Sequence, residues 1–271
     1  MKLTIVGCSG SLSGPDSPAS SYLLQAPYQD RVFSLLMDCG PGAMGALYRY
    51  IEPHEIDAIA LSHLHADHCL DLCGYYVAAR YSPNAPWPRC PVYAPASAAA
   101  RLVRAYEVIG NNGEVSESGA SLAEQFDWHT WQPSQQIGPF LVRAVRVAHP
   151  VEAYGIRVEE EAPGGGAMVY SGDTGPSEAL VQLANGVDLL LVESAFLDHP
   201  DNPHGMHLSG AQAAAIGQDA GVAAIVLTHI PPWHEPDRVL AEATPHFDGP
   251  VSLAKPGAVW DIGARFSDAR S

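Results

Sequence analysis

Ser62-His63-Leu64-His65-Ala66-Asp67-His68 sets three imidazoles and a carboxylate within six positions. Neutral imidazole and carboxylate are the ligand types that zinc, manganese and iron accept. The apolar run directly before them, residues 56–61, reads as a buried strand. A strand entering a turn that opens a helix fans neighbouring side chains around one point. His63 and His65 can therefore grip one cation while Asp67 and His68 face a second. A lone histidine would read as a solvated side chain, whereas four ligand types at one strand end read as a metal site.

One motif cannot fill two coordination spheres, and only rigid elements hold ligands to the needed accuracy. Three further positions meet that demand. His149 follows Leu141 to Val147, Asp173 follows Met168-Val169-Tyr170, and His229 follows Ile225-Val226-Leu227. Each is the first strong ligand type after a strand, where a cleft at the strand ends needs it.

The elements that must position these residues are legible in outline. Strands are expected at 3–6, 22–24, 32–37, 56–61, 91–94, 126–131, 140–147, 155–158, 168–170, 187–192 and 222–227, and around 251 and 259. Helices are expected at 40–50, 70–81, 98–109, 176–183, 212–219 and 237–243, and residues 9–20 and 110–119 read as loops. Strand-rich segments interleaved with amphipathic helices predict an α/β fold of two stacked sheets with helices outside them. No linker or internal repeat interrupts the pattern, so the chain reads as one domain over residues 1–271.

Formal net charge is −16, with only Lys2 and Lys255 beside twelve arginines, so the mean field repels nucleic acid and anionic membrane. A small anion is not excluded, because two divalent cations would outweigh nearby carboxylates inside a cleft. Cys8, Cys39, Cys69, Cys73 and Cys90 are odd in number and lack a disulfide-scaffold layout, which fits a reduced compartment. Cys69 and Cys73 read as small buried hydrophobes on a helix rather than as ligands. Residues 1–7 lack a signal-peptide core and no apolar stretch reaches membrane-spanning length. The expectation is a cytoplasmic protein without a membrane partner.

On these residues the chain resembles the metallo-β-lactamase superfamily, from Gly7 to about Pro231. The resemblance implies a four-layer αββα sandwich, two mixed sheets flanked by helices. It also implies two divalent metal ions, with zinc first and manganese or iron also suited. By that pattern His63, His65 and His149 hold one metal, Asp67, His68 and His229 hold the other, and Asp173 bridges them. A metal-bridging hydroxide is the implied nucleophile, with Asp67 counted among the catalytic residues.

Ser171-Gly172-Asp173-Thr174-Gly175, Val192-Glu193-Ser194-Ala195-Phe196 and His207-Leu208-Ser209-Gly210 look like the ribonuclease Z branch, as do Asp38-Cys39-Gly40 and Thr228-His229-Ile230. In that branch a Glu and a His assist phosphodiester cleavage, roles that fall here on Glu193 and His207. Attack on phosphorus pushes charge onto the departing sugar oxygen, which leaves poorly unless a positioned acid protonates it. As purely structural residues, His207 would adjoin a helix cap at Ser209 and Glu193 would be a surface carboxylate.

Ribonuclease Z grips transfer RNA with a long basic arm between the ligands matching His149 and Asp173. Only 23 residues separate them here, spent largely on two strands and the acidic turn Glu160-Glu161-Ala162-Pro163-Gly164-Gly165-Gly166. Nucleic acid is therefore not the expected partner. Gly7-Cys8-Ser9-Gly10-Ser11, residues 14–20 and 61–72, Ala148-His149-Pro150 with Glu152-Ala153-Tyr154-Gly155, and Thr228-His229-Ile230-Pro231-Pro232-Trp233 are similar to small, armless actinobacterial relatives. These are described as atypical class II cyclic-nucleotide phosphodiesterases. That likeness implies a small phosphodiester substrate, a cyclic nucleotide such as cAMP, opened to a nucleoside monophosphate. Resemblance to ribonuclease Z also implies a homodimer. The competing readings are tRNA 3′-end processing, hydrolysis of another ester, lactone or thioester, and a non-catalytic metal-dependent scaffold.

For substrate contacts, Ser9, Ser11 and Ser17 lie in a Gly/Pro/Ser loop that could bring hydroxyls and N–H groups to a phosphate. Tyr154 and Trp233 could stack a base or pack in the core. His199, His204 and His234 read as loop histidines outside the centre, because no strand end presents them.

Overall fold

Strands buried on both faces read as near-continuous apolar runs. Most strands have that character in the computed structural model, which describes residues 1–109, 114 and 118–263. The first half of the chain runs β1 (Lys2–Gly7), β2 (Ser21–Tyr28), β3 (Arg31–Met37), α1 (Ala43–Leu47), β4 (Ala58–Ala60), α2 (Ala66–Cys69), α3 (Leu72–Tyr81), β5 (Cys90–Ala94), α4 (Ala98–Tyr106), α5 (Ser118–Glu124) and β6 (Phe126–Thr130). The second runs β7 (Gln135–Ile137), β8 (Phe140–Arg146), β9 (Tyr154–Glu160), β10 (Ala167–Tyr170), α6 (Glu178–Leu183), β11 (Leu189–Glu193), α7 (Gly210–Ala220), β12 (Ile225–Thr228), α8 (Pro236–Ala243), β13 (Val251–Leu253) and β14 (Val259–Asp261).

These strands form two seven-stranded sheets, ordered β14-β1-β2-β3-β4-β5-β6 and β13-β12-β11-β10-β9-β8-β7. Both are mixed, and both follow one plan. Pairings from β14 to β3 are antiparallel and those from β3 to β6 parallel. Likewise, pairings from β7 to β10 are antiparallel and those from β10 to β13 parallel. The last strand, β14, returns to pair with β1.

Side-chain alternation sorts the core into layers. Leu24, Leu35 and Met37 from one sheet meet Phe140, Val158, Met168, Leu189 and Leu191 from the other. Leu23 and Leu36 instead face α1, α3 and α4 on the outer side, and Leu190 and Val192 face α6, α7 and α8. The result is the four-layer αββα sandwich. Among the described residues no helix is long and apolar enough to cross a membrane.

The sequence reading differs from this fold in few places. The helix expected at 40–50 is confined to Ala43–Leu47, because Gly42 takes a left-handed φ of 89° and delays its start. The helix expected to 109 ends at Tyr106. The loop expected at 110–119 lies mostly outside the described residues, and α5 begins at its end, at Ser118. β7 is absent from the sequence reading because Gln-Gln-Ile shows no apolar alternation. Its pairing with β8 makes it a strand.

Candidate metal centre

All the expected ligands follow the carboxyl ends of their strands. β4 delivers His63, and the chain then turns with His65 in extended backbone as the N-cap of α2, so that Asp67 and His68 occupy that helix's first turn. His149 follows β8, Asp173 follows β10 and His229 follows β12. These loops converge on two groups of ligand atoms, each lying within 4.8 Å of one another: His63, His65, His149 and Asp173, then Asp67, His68, Asp173 and His229.

In the first group His63 Nε2 lies 3.1 Å from His65 Nδ1, which lies 3.2 Å from His149 Nε2. In the second, His68 Nε2 and His229 Nε2 are 3.1 Å apart, and His229 Nε2 is 3.1 Å from Asp67 Oδ2. Asp173 belongs to both. Its Oδ2 is 3.5 Å from His63 Nε2, while its Oδ1 is 3.2 Å from His68 Nε2 and 3.4 Å from His229 Nε2.

The outer nitrogens explain why the inner ones are free to bind. His63 Nδ1 donates to Ser62 Oγ at 3.1 Å, His68 Nδ1 to Asp38 Oδ2 at 2.7 Å, and His149 Nδ1 to the Met206 carbonyl at 2.9 Å. A ring that donates from one nitrogen presents a lone pair at the other. Buried lone pairs therefore face one another, and Asp173 Oδ1 is buried without a hydrogen-bond partner. Such a donor set fits a cation, and the cluster can bind metal ions. Burial holds His63, His65 and His149 below the usual imidazole range, in the neutral form that ligates. For His68 burial acts the same way, but the charges of Asp173 and Asp38 overcome it and raise the proton affinity. Burial alone would raise Asp67 and Asp173, yet the surrounding imidazoles keep both carboxylates well below their ordinary range.

Asp38 anchors the whole arrangement, a role the sequence reading did not give it. Fully buried at the end of β3, it accepts from Ser62 N and Ser62 Oγ, His68 Nδ1 and the Tyr170 hydroxyl, all at 2.7 Å. The available signal was positional: Asp38 is the first polar residue after an apolar strand, as the ligands are. Its backbone is left-handed (φ 57°), as are those of Ser11 (φ 64°) and His229 (φ 56°). Only Gln29 shares that conformation among the other described non-glycine residues. Backbone strain thus gathers at the centre, where surrounding structure must hold it.

Glu193 and His207 stand beside the cluster. Glu193 is 0% exposed, so the reading of a surface carboxylate is wrong. Its Oε1 accepts from Thr174 N at 2.9 Å and His207 Nδ1 at 2.8 Å. Its Oε2 accepts from Ala195 N at 3.0 Å and Leu208 N at 3.2 Å. Although Glu193, His207 and His229 are close enough to form a third ligand group, these four bonds saturate the carboxylate, which acts as a positioner. The His207 ring stacks on His229 with centroids 5.6 Å apart, leaving Nε2 uncommitted. Ser209 does cap α7, in a capping box with Gln212, so His207 is both neighbour of a cap and neighbour of the centre.

The expected substrate contacts fare unevenly. The Ser11 N–H lies 3.4 Å from His229 Nε2, at the edge of the centre. Ser17 Oγ instead accepts from Cys8 N and donates to the Pro18 carbonyl, pinning its own loop. Ser9 is buried and lines a cavity of about 260 Å³ whose walls include none of the seven ligands but do include His234. Tyr154 donates to Glu152 at 2.7 Å and carries the Arg146 guanidinium 5.5 Å above its ring, which occupies the face expected for a base. Trp233 is 61% exposed rather than packed in the core. His199 and His204 line a cavity with His207 and contribute no atom to the ligand groups. Cys69 is buried with its thiol raised to about 12, and burial raises Cys73 too, so neither is a ready thiolate ligand.

Gly10 is the tightest support of His229. A Cβ there would stand 2.2 Å from the His229 carbonyl oxygen and 2.9 Å from its Nδ1. Gly10→Ala is expected to displace that ligand, lowering bound metal measured after dialysis and destabilising the fold by about 1–3 kcal/mol in denaturant unfolding.

The chain matches the Beta-lactamase superfamily domain over residues 34–230 and belongs to that family, as a metallo-hydrolase of the β-lactamase fold. It is 43% identical over 253 residues to the uncharacterized protein Rv1339 of Mycobacterium tuberculosis, covering 93% of this chain and 88% of that one. The crystal structure of the metallo-β-lactamase fold protein YhfI from Bacillus subtilis superposes with a TM-score of 0.79 at 27% identity, over 96% of this chain and 99% of that one. Ribonuclease Z of Myxococcus xanthus is 26% identical over 288 residues, 85% of this chain and 89% of that one, in keeping with a ribonuclease Z-like branch.

Proposed function

We propose that the protein is a dinuclear metal-dependent phosphodiesterase that opens cyclic nucleotides such as cAMP to nucleoside monophosphates. The observation that carries this reading is the pairing of the half-buried His207 with the buried Glu193, 2.8 Å apart beside the ligand cluster. Two divalent ions, zinc first, would be held by His63, His65 and His149 and by Asp67, His68 and His229, with Asp173 addressing both. When bound they would supply a water-derived nucleophile and polarise a phosphoryl oxygen. His207 presents Nε2–H to the leaving sugar oxygen and gives up that proton as the P–O bond breaks. Glu193 receives Nδ1–H and favours the imidazolium, whose second proton, at Nε2, is the one given up. The Ser11 N–H, 3.4 Å from His229 Nε2, would donate to a phosphoryl oxygen once a metal takes up that nitrogen's lone pair.

The segment between His149 and Asp173 supports a small substrate. β9 and β10 pair as an antiparallel hairpin there, joined by a six-residue turn at 161–166 in place of any long basic arm. The test is a screen of metal-loaded protein against 3′,5′- and 2′,3′-cyclic nucleotides, a tRNA precursor, a lactone and a thioester. Cyclic-nucleotide hydrolysis is the expected result. Intact cyclic nucleotides beside a cleaved lactone, thioester or precursor would overturn the reading.

A further inference from the structure

A further cavity borders the centre at His65. It measures about 510 Å³ and is lined by Leu64, His65 and Ala66, by Arg101 and Arg104 from α4, and by Val151 and Glu152. That size is typical of a small-molecule site. His65 belongs both to this wall and to the first ligand group, so the cavity adjoins the centre at that residue.

The two arginines are unusual in this chain. They are two of only 14 basic residues in a chain of net charge −16. Three residues apart on one helix, they share a face and repel each other. Among the described residues neither guanidinium has a hydrogen bond or ion pair with a carboxylate. Glu152 shares their wall, but Tyr154 donates to it at 2.7 Å and Arg146 lies 3.4 Å from it, so its charge is engaged elsewhere. Two like charges held together at a cleft wall are ready to meet an anion, and planar guanidinium groups suit phosphate.

We propose that Arg101 and Arg104 form a second anion subsite and that the cleft accepts dinucleotides, with one phosphate at the metal centre and the next on this pair. The inference deepens the phosphodiesterase reading and rests on it for the placement of the first phosphate. A cyclic mononucleotide, with one phosphate, gains nothing from the subsite.

The experiment compares two ligands that differ by one phosphate, ApA and pApA, by calorimetric titration into metal-loaded protein. Wild type is expected to bind pApA at least about 10-fold more tightly, the scale of one charge-assisted hydrogen bond. The Arg101→Gln/Arg104→Gln variant, with metal content unchanged, should bind the two ligands equally. It should also show a raised KM for a cyclic dinucleotide at unchanged kcat, with the KM for a cyclic mononucleotide unaltered. Equal affinities in wild type, or a pApA preference that survives in the variant, would overturn the subsite. A pApA preference without hydrolysis of any cyclic nucleotide would instead sink the phosphodiesterase reading and leave the subsite standing.

Discussion

His207→Ala is expected to lower phosphodiester turnover by about 10²–10⁴-fold, the range lost with a general acid, while metal content measured by elemental analysis stays at the wild-type level. The ring stacks on His229 and leans edge-on to Phe196, and no ligand depends on it for a hydrogen bond. Loss of metal together with activity would make His207 structural and overturn its role as acid. Its proton affinity makes the expectation sharper. Burial lowers it, but the hydrogen bond and charge of Glu193, aided by Asp173, more than compensate, so His207 titrates above the ordinary imidazole value. The acid form is full below that raised value and is lost as pH rises through it, giving turnover an alkaline limb. Glu193→Gln removes the raising charge, so the limb should move to lower pH. It should also cost about 1–3 kcal/mol of stability, since an amide nitrogen must then face buried N–H donors. An unmoved alkaline limb would assign it to another group.

Asp38→Asn is expected to weaken metal binding by about 10–100-fold, the usual cost of disturbing a group that orients ligands, although Asp38 belongs to neither ligand group. The amide keeps the volume of the carboxylate and loses half its acceptor capacity. Three donors converge on Asp38 Oδ2, from Ser62, His68 and Tyr170, and the substitution leaves at least one of them buried and unpaired. Competitive chelation should show the weaker affinity, and thermal unfolding of the metal-free protein should show a lowered melting temperature. Wild-type affinity in the variant would mean that packing alone orients His68 and His63.

The cluster that can bind metal was legible from sequence because each member combines a distinctive residue type with a strand end, and strand ends are marked by the apolar runs before them. His149, Asp173 and His229 are remote in sequence, yet one rule of placement finds all three. Asp38 obeys that rule but is an acceptor for ligands rather than a ligand, and that distinction is a matter of which side of the His68 ring it reaches. Glu193 reads from sequence like any carboxylate at a strand end, and only the fold reveals the three backbone N–H groups gathered on it. Sequence did not reveal that Ser17 and Tyr154 already have partners within the chain, because proximity in sequence says nothing about where a hydroxyl or ring is engaged. Arg101 and Arg104 gave no signal, since α4 meets the His65 wall only after β5 has paired between β4 and β6.

The matching plans of the two sheets have a consequence for assembly. His63, His65, Asp67 and His68 come from the half of the chain that ends at β6, whereas His149, Asp173 and His229 come from the half that begins at β7. Each ligand group draws residues from both halves, so a bound cation would sit on the seam and its binding would be linked to their docking. Metal affinity thereby becomes a gauge of how firmly the halves are joined. A cavity cut at Leu35 or Leu191, in the core between the two sheets, should register as faster metal release, and added metal should hold together halves that heat or denaturant would otherwise part.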